Sequence, residues 1–256
     1  EIAVDIEDWD TSLITDMSSL FVNANFNADI GSWDTSQVTD MSSMFADALF
    51  FNQDISSWST SKVTNMQYMF SGAYAFNQDV GLWDTSQVTR MYALFKNAYA
   101  FNQDISSWNT SQVTDIGSMF NEAKAFNQPI GPWDTSQVVS MSDMFRNAAA
   151  FDQELSSWDT SKVQTMYFMF YGATAFNQDI TGWDTSSLTT STDMFLDATS
   201  WQARYNNCGY YEWSYHDYCS ALAAAYIPTV SGGSQPGDGP PTAWVRKENA
   251  CDANVR

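Results

Sequence analysis

The repeating unit of this chain is most complete in one stretch: Phe51-Asn52-Gln53-Asp54-Ile55-Ser56-Ser57-Trp58-Ser59-Thr60-Ser61-Lys62-Val63-Thr64-Asn65-Met66-Gln67-Tyr68-Met69-Phe70-Ser71-Gly72-Ala73-Tyr74-Ala75. Outward from it, tryptophan recurs every 25 residues after one interval of 24, at Trp9, Trp33, Trp58, Trp83, Trp108, Trp133, Trp158 and Trp183. A Thr-Ser pair and a phenylalanine follow each tryptophan in step. A period of 20 to 30 residues is typical of a solenoid, in which every unit is one coil stacked on the next.

Two spacings occur within each unit. Met41, Met44, Phe45 and Ala48 follow the i, i+3, i+4, i+7 pattern, which predicts one face of a short helix. In residues 51–56, Phe51, Gln53 and Ile55 alternate with Asn52, Asp54 and Ser56, and this period of two predicts a short strand. The sequence therefore predicts an α/β fold: a right-handed, leucine-rich-repeat-like solenoid of about eight 25-residue coils, with short parallel strands on one side and short helices on the other. The Trp, Met and Phe of successive units are predicted to form its core.

Composition restricts the function. The chain has 30 Asp and Glu against 10 Lys and Arg, a formal net charge of −20. Nucleic acids and anionic membranes attract basic surfaces, so neither is an expected partner. His216 is the single histidine, which argues against histidine-based catalytic triads and multi-histidine metal sites. The longest apolar stretch near the end, residues 221–227, is too short to span a bilayer.

The repeat resembles that of BspA-like leucine-rich-repeat surface proteins. The resemblance lies in residues 101–108 (Phe-Asn-Gln-Asp-Ile-Ser-Ser-Trp), in residues 38–45 (Val-Thr-Asp-Met-Ser-Ser-Met-Phe) and in Ala48, and it spans residues 2–201. It implies a leucine-rich-repeat-like solenoid that is secreted or at the cell surface and acts in adhesion or matrix interaction. It implies no catalysis and supplies no catalytic residues.

The pattern divides the chain into three parts: a repeat solenoid at 1–201, an aromatic cap at 202–230, and a Gly/Pro-rich linker and tail at 231–256. In the cap, Cys208 and Cys219 are close enough in sequence to form a disulfide, with free buried thiols as the alternative. Cys251 is left free or pairs with another chain. Residues 2–9 already follow the strand pattern, so we expect that upstream repeats precede them or that another chain covers this edge. End-to-end self-assembly is one hypothesis, and a trimmed fragment is the other.

One position of the repeat carries carboxylates, at Asp29, Asp54, Asp79, Asp104, Glu154 and Asp179. Like charges about 5 Å apart repel one another, and Ca²⁺, which prefers oxygen ligands, would relieve this. The alternative, which we favour, is that each carboxylate accepts hydrogen bonds from the backbone of the next coil and needs no metal. No other cofactor is expected. Asparagine repeats at Asn27, Asn52, Asn77, Asn102, Asn127 and Asn177, and we expect these amides to bond the backbone of adjacent coils.

The Thr-Ser pair is identical in all eight units. A flat hydroxyl array could order water, as ice-binding surfaces do. A bend that needs hydroxyl groups to satisfy its backbone explains the same identity.

Aromatic residues are concentrated at the positions of the predicted helix that face away from the core. They are Tyr68, Tyr92, Tyr167, Phe168 and Tyr171. Exposed aromatic clusters often mark a protein or sugar contact, and packing on neighbouring coils is the alternative.

We therefore expect a non-catalytic extracellular or cell-surface module for structure or adhesion. Its expected partners are other protein chains of the surface or matrix, or its own copies. The alternative is a surface protein that binds glycan, calcium or ice through the Asp or Thr-Ser positions or the aromatic face. An enzyme is not expected, because no single carboxylate pair is distinguished from the others.

Overall fold

A computed structural model describes residues 5–207 and 239–246. Its regular elements are few: a 3-10 helix η1 (Ile6–Asp8), helix α1 (Thr199–Arg204), strand β1 (Tyr205–Asn207), a 3-10 helix η2 (Pro241–Ala243) and strand β2 (Trp244–Arg246). Between η1 and α1 the chain consists of turns joined by extended segments. We number the coils from the residue that begins each turn series: coil 1 starts at Met17, coil 2 at Met41, and coils 3 to 8 follow every 25 residues. Equivalent residues of successive coils form a column.

Successive coils pair in parallel at one residue each. The isolated parallel bridges join Asp16 to Asp40, Asp40 to Asn65, Asn65 to Arg90, Arg90 to Asp115, Asp115 to Ser140, Ser140 to Thr165, and Thr165 to Thr190. Every partner lies one repeat further along the chain, so the coils stack in register from the first to the eighth.

Residues 41–48 form consecutive turns, not the predicted short helix. The amides of Met44 and Ala48 bond carbonyls three residues earlier, at 3.2 and 3.0 Å. The amides of Ser43, Phe45 and Asp47 instead donate to the next coil, at 2.8, 2.9 and 2.7 Å. An α-helix would direct all its amides along its own axis and leave adjacent coils unbonded. The apolar spacing is compatible with both conformations, because these turns also bury the residues at i, i+3, i+4 and i+7.

The turns depend on left-handed backbone at two columns. The third residue of each coil has a positive φ, at Ser19, Ser43, Tyr68, Ala93, Ser118, Asp143, Phe168 and Asp193. The seventh also does, at Asn23, Asp47, Gly72, Asn97, Glu122, Asn147, Gly172 and Asp197. Non-glycine residues pay roughly 1–2 kcal/mol for this conformation. In coils 1 to 7 the amides of these residues donate hydrogen bonds to the next coil, and these bonds offset the cost of the left-handed backbone. An isolated coil would lack the bonds and would adopt a less strained conformation.

The segment predicted as a strand, residues 51–55 and its equivalents, is extended but forms no strand in the described structure. Side chains connect the coils here. The Asn52 carboxamide oxygen accepts from the amide of Asn77 at 2.9 Å, and the Gln78 side chain donates to the Asn52 carbonyl at 2.9 Å. The same contact recurs down the column, which confirms the predicted role of the asparagines.

The core is a set of stacked side-chain columns. The Phe45 ring stacks on Phe51 with centroids 3.9 Å apart, and on Phe70 of the next coil at 5.6 Å. Trp33 and Trp58 stack at 6.4 Å, and the indole N–H of Trp58 donates to the carbonyl of Ile30 at 3.0 Å. The Trp, Met and Phe columns are almost completely buried from coil 2 onward. Because each ring covers the next, an isolated coil would expose most of this apolar surface to water.

The C-terminal end of the stack is covered by residues from two parts of the chain. Strands β1 and β2 pair antiparallel, with Asn207 opposite Trp244. Trp244 is 4% exposed and packs edge-on against Phe195 and Trp201, at 5.3 and 6.2 Å between centroids. Residues 239–246 belong to the segment predicted as linker and tail, and they pack on the last coil. Cys208, Cys219, Cys251 and His216 lie outside the described residues.

No helix within the described ranges is long and apolar enough to cross a membrane.

Candidate functional site

The carboxylates proposed as calcium ligands are each engaged within their own coil. The backbone amides two residues later donate to Asp29, Asp54, Asp79 and Asp104, each at 2.9 Å. The expectation that the next coil would supply the donors is therefore wrong. The reason is local, because an aspartate side chain reaches the amide two residues on without leaving its own turn. The amide and hydroxyl of Ser56 hold the pKa of Asp54 below its ordinary value, and Ser106 does the same for Asp104.

Among residues 5–207 and 239–246, no group of three or more His, Cys, Asp or Glu side chains is placed to hold a metal ion.

A second acidic column follows the tryptophans and was not singled out in the sequence. In this column, the hydroxyl and the amide of the serine two residues later lower the pKa of the aspartate. The aspartates are Asp10, Asp34, Asp84, Asp134, Asp159 and Asp184. The recurring Asp-Thr-Ser triplet was the available signal, because aspartate followed by a residue that bonds back is a turn motif. These carboxylates keep their charge at neutral pH and make one side of the stack acidic.

The threonine half of the Thr-Ser pair is buried. Thr35, Thr85 and Thr135 are 1–2% exposed, and each donates its hydroxyl to a carbonyl of the next coil at 2.9–3.0 Å. These hydroxyls join adjacent coils and do not form an outward array that could order water. A different threonine column, which includes Thr39 and Thr64, is exposed and bonds back to the preceding coil.

The predicted aromatic contact residues lie on the turn face, the outer surface formed by residues 41–48 and their equivalents. Tyr68 meets Tyr92 edge-on, with centroids 5.2 Å apart, and Tyr68 is 39% exposed. The Tyr92 ring lies against Gly117, where a Cβ would come within 3.2 Å of it, and its hydroxyl is 3.5 Å from the Ser118 hydroxyl. The glycine thus gives space for this ring.

The other three aromatics form a second group around a cation. The Arg146 guanidinium lies 4.9 Å from the ring centroid of Phe168 and 5.1 Å from that of Tyr171, and it pairs with Asp143 at 3.2 Å. Tyr167 packs edge-on against Phe168 at 5.6 Å. Burial raises the pKa of Tyr167 most, and Asp143 and then Tyr92 add to it. The five predicted residues are therefore grouped on one face, and Phe168 and Tyr171 already have an internal partner.

A third aromatic group lies at the corner, which we define as residues 49–50 and their equivalents. Tyr74 and Tyr99 stack with centroids 4.5 Å apart, and the Lys124 ammonium lies 4.6 Å from the Tyr99 centroid. Phe50 is 61% exposed beside a cleft of about 330 Å³. Phe50 was not predicted as a contact residue, because the same position holds alanine in coils 3 to 7 and the repeat alone gives it no role.

The pKa of one aspartate is shifted in the opposite direction to those described above. Asp115 lies half-buried in the column of parallel bridges, and burial raises its pKa although the Gly117 amide opposes this. It lines neither the corner cleft nor a second cleft of about 490 Å³ beside Arg204 and Arg246.

The regular stack and its variable outer face define the class: this is a repeat protein built from 25-residue coils. The chain belongs to the family described as "Mycoplasma protein of unknown function, DUF285", whose model matches residues 1–108 and 91–208. No curated protein and no solved structure matches the chain.

Proposed function

We propose that this chain is a non-catalytic module of the cell surface or of a secreted protein that adheres to other protein chains through its turn face. One observation carries the proposal. The inward columns repeat the same residue types in nearly every coil, whereas the outward positions of the turn face differ from coil to coil and hold exposed aromatics. The stack does not need large aromatic side chains at these outward positions, and exposed aromatic clusters often mark a protein contact.

The proposed fold class is a right-handed, leucine-rich-repeat-like solenoid related to BspA-like surface proteins. Its support is the parallel bridge in every coil, the ring stacking along the columns and the repeat family to which the chain belongs. Such an arrangement offers an extended lateral surface for binding.

Self-assembly end to end is the weaker form of the proposal. At the first coil, the carbonyls of Ser18, Leu20 and Val22 accept no backbone hydrogen bond within the described residues, although their equivalents in coil 2 do. At the other end, Trp244 already packs on Phe195. A second copy would have to displace that contact, so the lateral face is the better candidate.

A ligand-binding role for calcium, ice or glycan has uneven support. Calcium would have to bind carboxylates that already accept hydrogen bonds in their own turns. The buried threonine hydroxyls are unsuited to ice. For glycan, the exposed aromatic rings of the turn face are the supporting feature.

The test uses a triple variant, Tyr68→Ser, Tyr92→Ser and Tyr167→Ser. Serine occupies the same columns at Ser43 and Ser142, so the turns should tolerate it. We expect the native protein to bind saturably to one or more immobilised matrix proteins, such as collagens and laminins. The triple variant should bind about tenfold more weakly, with an unchanged melting temperature.

The matched control is Leu82→Ser, which removes a side chain that is 88% exposed outside the turn face. It should leave binding unchanged. The adhesion proposal is wrong if the native protein binds no matrix protein. The role of the turn face is wrong if the triple variant binds as tightly as the native protein, and a lower melting temperature with that result would make the three tyrosines structural.

A further inference from the structure

The corner cleft exists because coil 1 is one residue shorter than the coils above it. Between Ala24 and Phe26 there is one residue, Asn25, where coil 2 has Leu49 and Phe50 between Ala48 and Phe51. In coils 3 and 4 the corresponding amides, at Ala75 and Ala100, donate to the corner carbonyl of the coil below, at 3.2 Å. No such bond from the Phe50 amide to coil 1, which is one residue shorter at this corner, is found among the described residues. The missing residue therefore leaves a space beneath the Phe50 corner.

The cleft has a mixed lining. Asn23, Ala24, Asn25, Asp47, Leu49 and Phe50 surround about 330 Å³. This volume lies at the lower end of the range for ligand pockets, so it suits a single side chain or a small group. Phe50 and Leu49 are 61% and 38% exposed and give the cleft an apolar wall at its opening. The asparagines and the aspartate provide hydrogen-bond acceptors.

The charge of the cleft is negative. Asp47 is the one ionisable residue that lines it, and no lysine or arginine does. The Asp47 carboxylate occupies the place that a Cβ on Gly72 would take. Tyr99 above all raises the pKa of Tyr74, and the negative charge of Asp47 contributes to the same shift. The whole chain carries a formal charge of −20, which adds a long-range attraction for cations.

The same corner already holds an ammonium group three coils further along. Lys124 places its ammonium 4.6 Å from the Tyr99 ring centroid and 3.8 Å from the Glu122 carboxylate. An aromatic face beside a carboxylate is a favourable environment for a cation. Phe50 and Asp47 bring an aromatic ring and a carboxylate to the lining of one cleft, and the described lining contains no cation.

We propose that the corner cleft between coils 1 and 2 binds a lysine or arginine side chain of a protein partner. The charged end pairs with Asp47 and the asparagine oxygens, and the aliphatic stem packs on Phe50 and Leu49. This site lies at the corner and uses none of the turn-face tyrosines. It therefore adds a second, charge-selective contact to the proposed adhesion.

Two variants test the site without disturbing the fold. Asp47→Asn removes the charge and keeps the left-handed backbone, because Asn97 and Asn147 have positive φ in the same column. Phe50→Ala places at the corner the residue that coils 3 and 4 have there, Ala75 and Ala100. Both variants should melt within about a degree of the native protein, since neither change removes a buried side chain.

The probe is the blocked peptide acetyl-Gly-Gly-Lys-Gly-Gly-amide, with the glutamine peptide as its matched control. Binding is measured from the NMR shifts of the backbone amides that line the cleft. We expect saturable shifts with the lysine peptide and none with the glutamine peptide. Each variant should weaken the lysine peptide about fivefold, which corresponds to about 1 kcal/mol for an exposed ion pair or cation–π contact. Higher salt should weaken native binding further.

Three results would overturn the proposal. One is the absence of shifts in the cleft with the lysine peptide at millimolar concentration. Another is undiminished binding by Asp47→Asn. The third is a response to maltotriose in place of the peptide, which would assign the cleft to a saccharide. The turn-face triple variant, Tyr68→Ser with Tyr92→Ser and Tyr167→Ser, should bind the lysine peptide normally, so failure of the adhesion proposal and failure of this one can be distinguished.

Discussion

The hydroxyl of Thr85 donates to the main-chain carbonyl of Asn109, one coil further along, at 3.0 Å. Thr85 is 1% exposed, and its equivalents Thr35 and Thr60 make the same bond. A buried hydroxyl without a partner is costly, and this bond pairs the buried Thr85 hydroxyl with a main-chain carbonyl of the next coil. The fixed threonine of each unit thus connects two coils.

Thr85→Val should lower the free energy of unfolding by about 1–2 kcal/mol, because it preserves the shape and removes the donor. Thr89→Val is the matched control, since Thr89 is exposed and its hydroxyl bond to Thr64 is longer, at 3.3 Å. Urea denaturation measures both. Equal effects at the two positions would show that burial of the hydroxyl is unimportant.

Gly72→Ala should destabilise the protein by at least about 2 kcal/mol. Gly72 has a φ of +73°, and an added Cβ would meet the Asp47 carboxylate. Adding Asp47→Gly should restore part of the loss, since it removes the clash and leaves the backbone strain. Gly182→Ala is the control, because a Cβ there meets nothing within 4 Å. Thermal melts followed by circular dichroism measure all three, and equal losses at Gly72 and Gly182 would contradict the explanation.

The aspartates that follow the tryptophans should make the protein sensitive to acid. The pKa of Asp134 is lowered by the Ser136 hydroxyl and amide, so the folded state binds a proton less readily than the unfolded state. The resulting stability is present above the unfolded pKa and is lost as the pH falls through the folded pKa. The melting temperature should therefore be nearly constant from neutral pH to about pH 5 and should fall below about pH 4.

The effect of the serine on the aspartate pKa can be measured at Asp134 alone. In Ser136→Ala the Asp134 carboxyl should titrate at higher pH than in the native protein, as followed by NMR of its side-chain carbon. Asp159, which bonds Ser161, is the internal control and should change little. A lower Asp134 pKa in the variant would contradict the assignment of the serine hydroxyl as its main cause.

Asp115 should have the opposite pH dependence. Burial raises its folded pKa above the unfolded value, so its contribution to stability falls as the pH rises through that window. Asp115→Asn should raise the melting temperature at pH 7, and the difference should disappear below about pH 3, where the carboxyl is protonated in both states. Asn65 occupies the same column, and its side-chain oxygen accepts a hydrogen bond from the Gln67 amide, as the Asp115 carboxylate does from the Gly117 amide. Asparagine at position 115 should therefore keep this hydrogen bond. A lower melting temperature of Asp115→Asn at pH 7 would contradict this, because it would mean that the charged Asp115 carboxylate stabilises the folded protein.

Trp244→Ala should destabilise the end of the stack by about 3–5 kcal/mol, because the indole is 4% exposed and packs on Phe195 and Trp201. Trp9→Ala removes a tryptophan at the opposite end that is 48% exposed, and its effect should be much smaller. Differential scanning calorimetry compares them. Equal losses would mean that Trp244 does not protect the last coil.

The candidate surfaces differ in how far the sequence revealed them. The aromatic positions of the turn face were predicted from residue type and position, since outward positions can be recognised by their spacing from Met66 and Phe70. The corner cleft was not predicted. Its cause, the 24-residue interval between Trp9 and Trp33, is visible in the sequence, but its consequence depends on where the missing residue falls in space.

The sequence by itself determined the period, the register of the stack and the identity of the core, because apolar side chains that recur at a fixed interval are buried when the equivalent residues of successive coils stack on one another. Only the tertiary structure determined the local backbone conformation. Residues 41–48 form turns where a helix was predicted, and Tyr68 and Phe168 have a left-handed conformation. Between coils, the Asn52 side chain accepts the hydrogen bond that a backbone strand pairing was expected to make. These outcomes could not be read from one unit, because the hydrogen-bond partners of each amide lie in the next coil, 25 residues away.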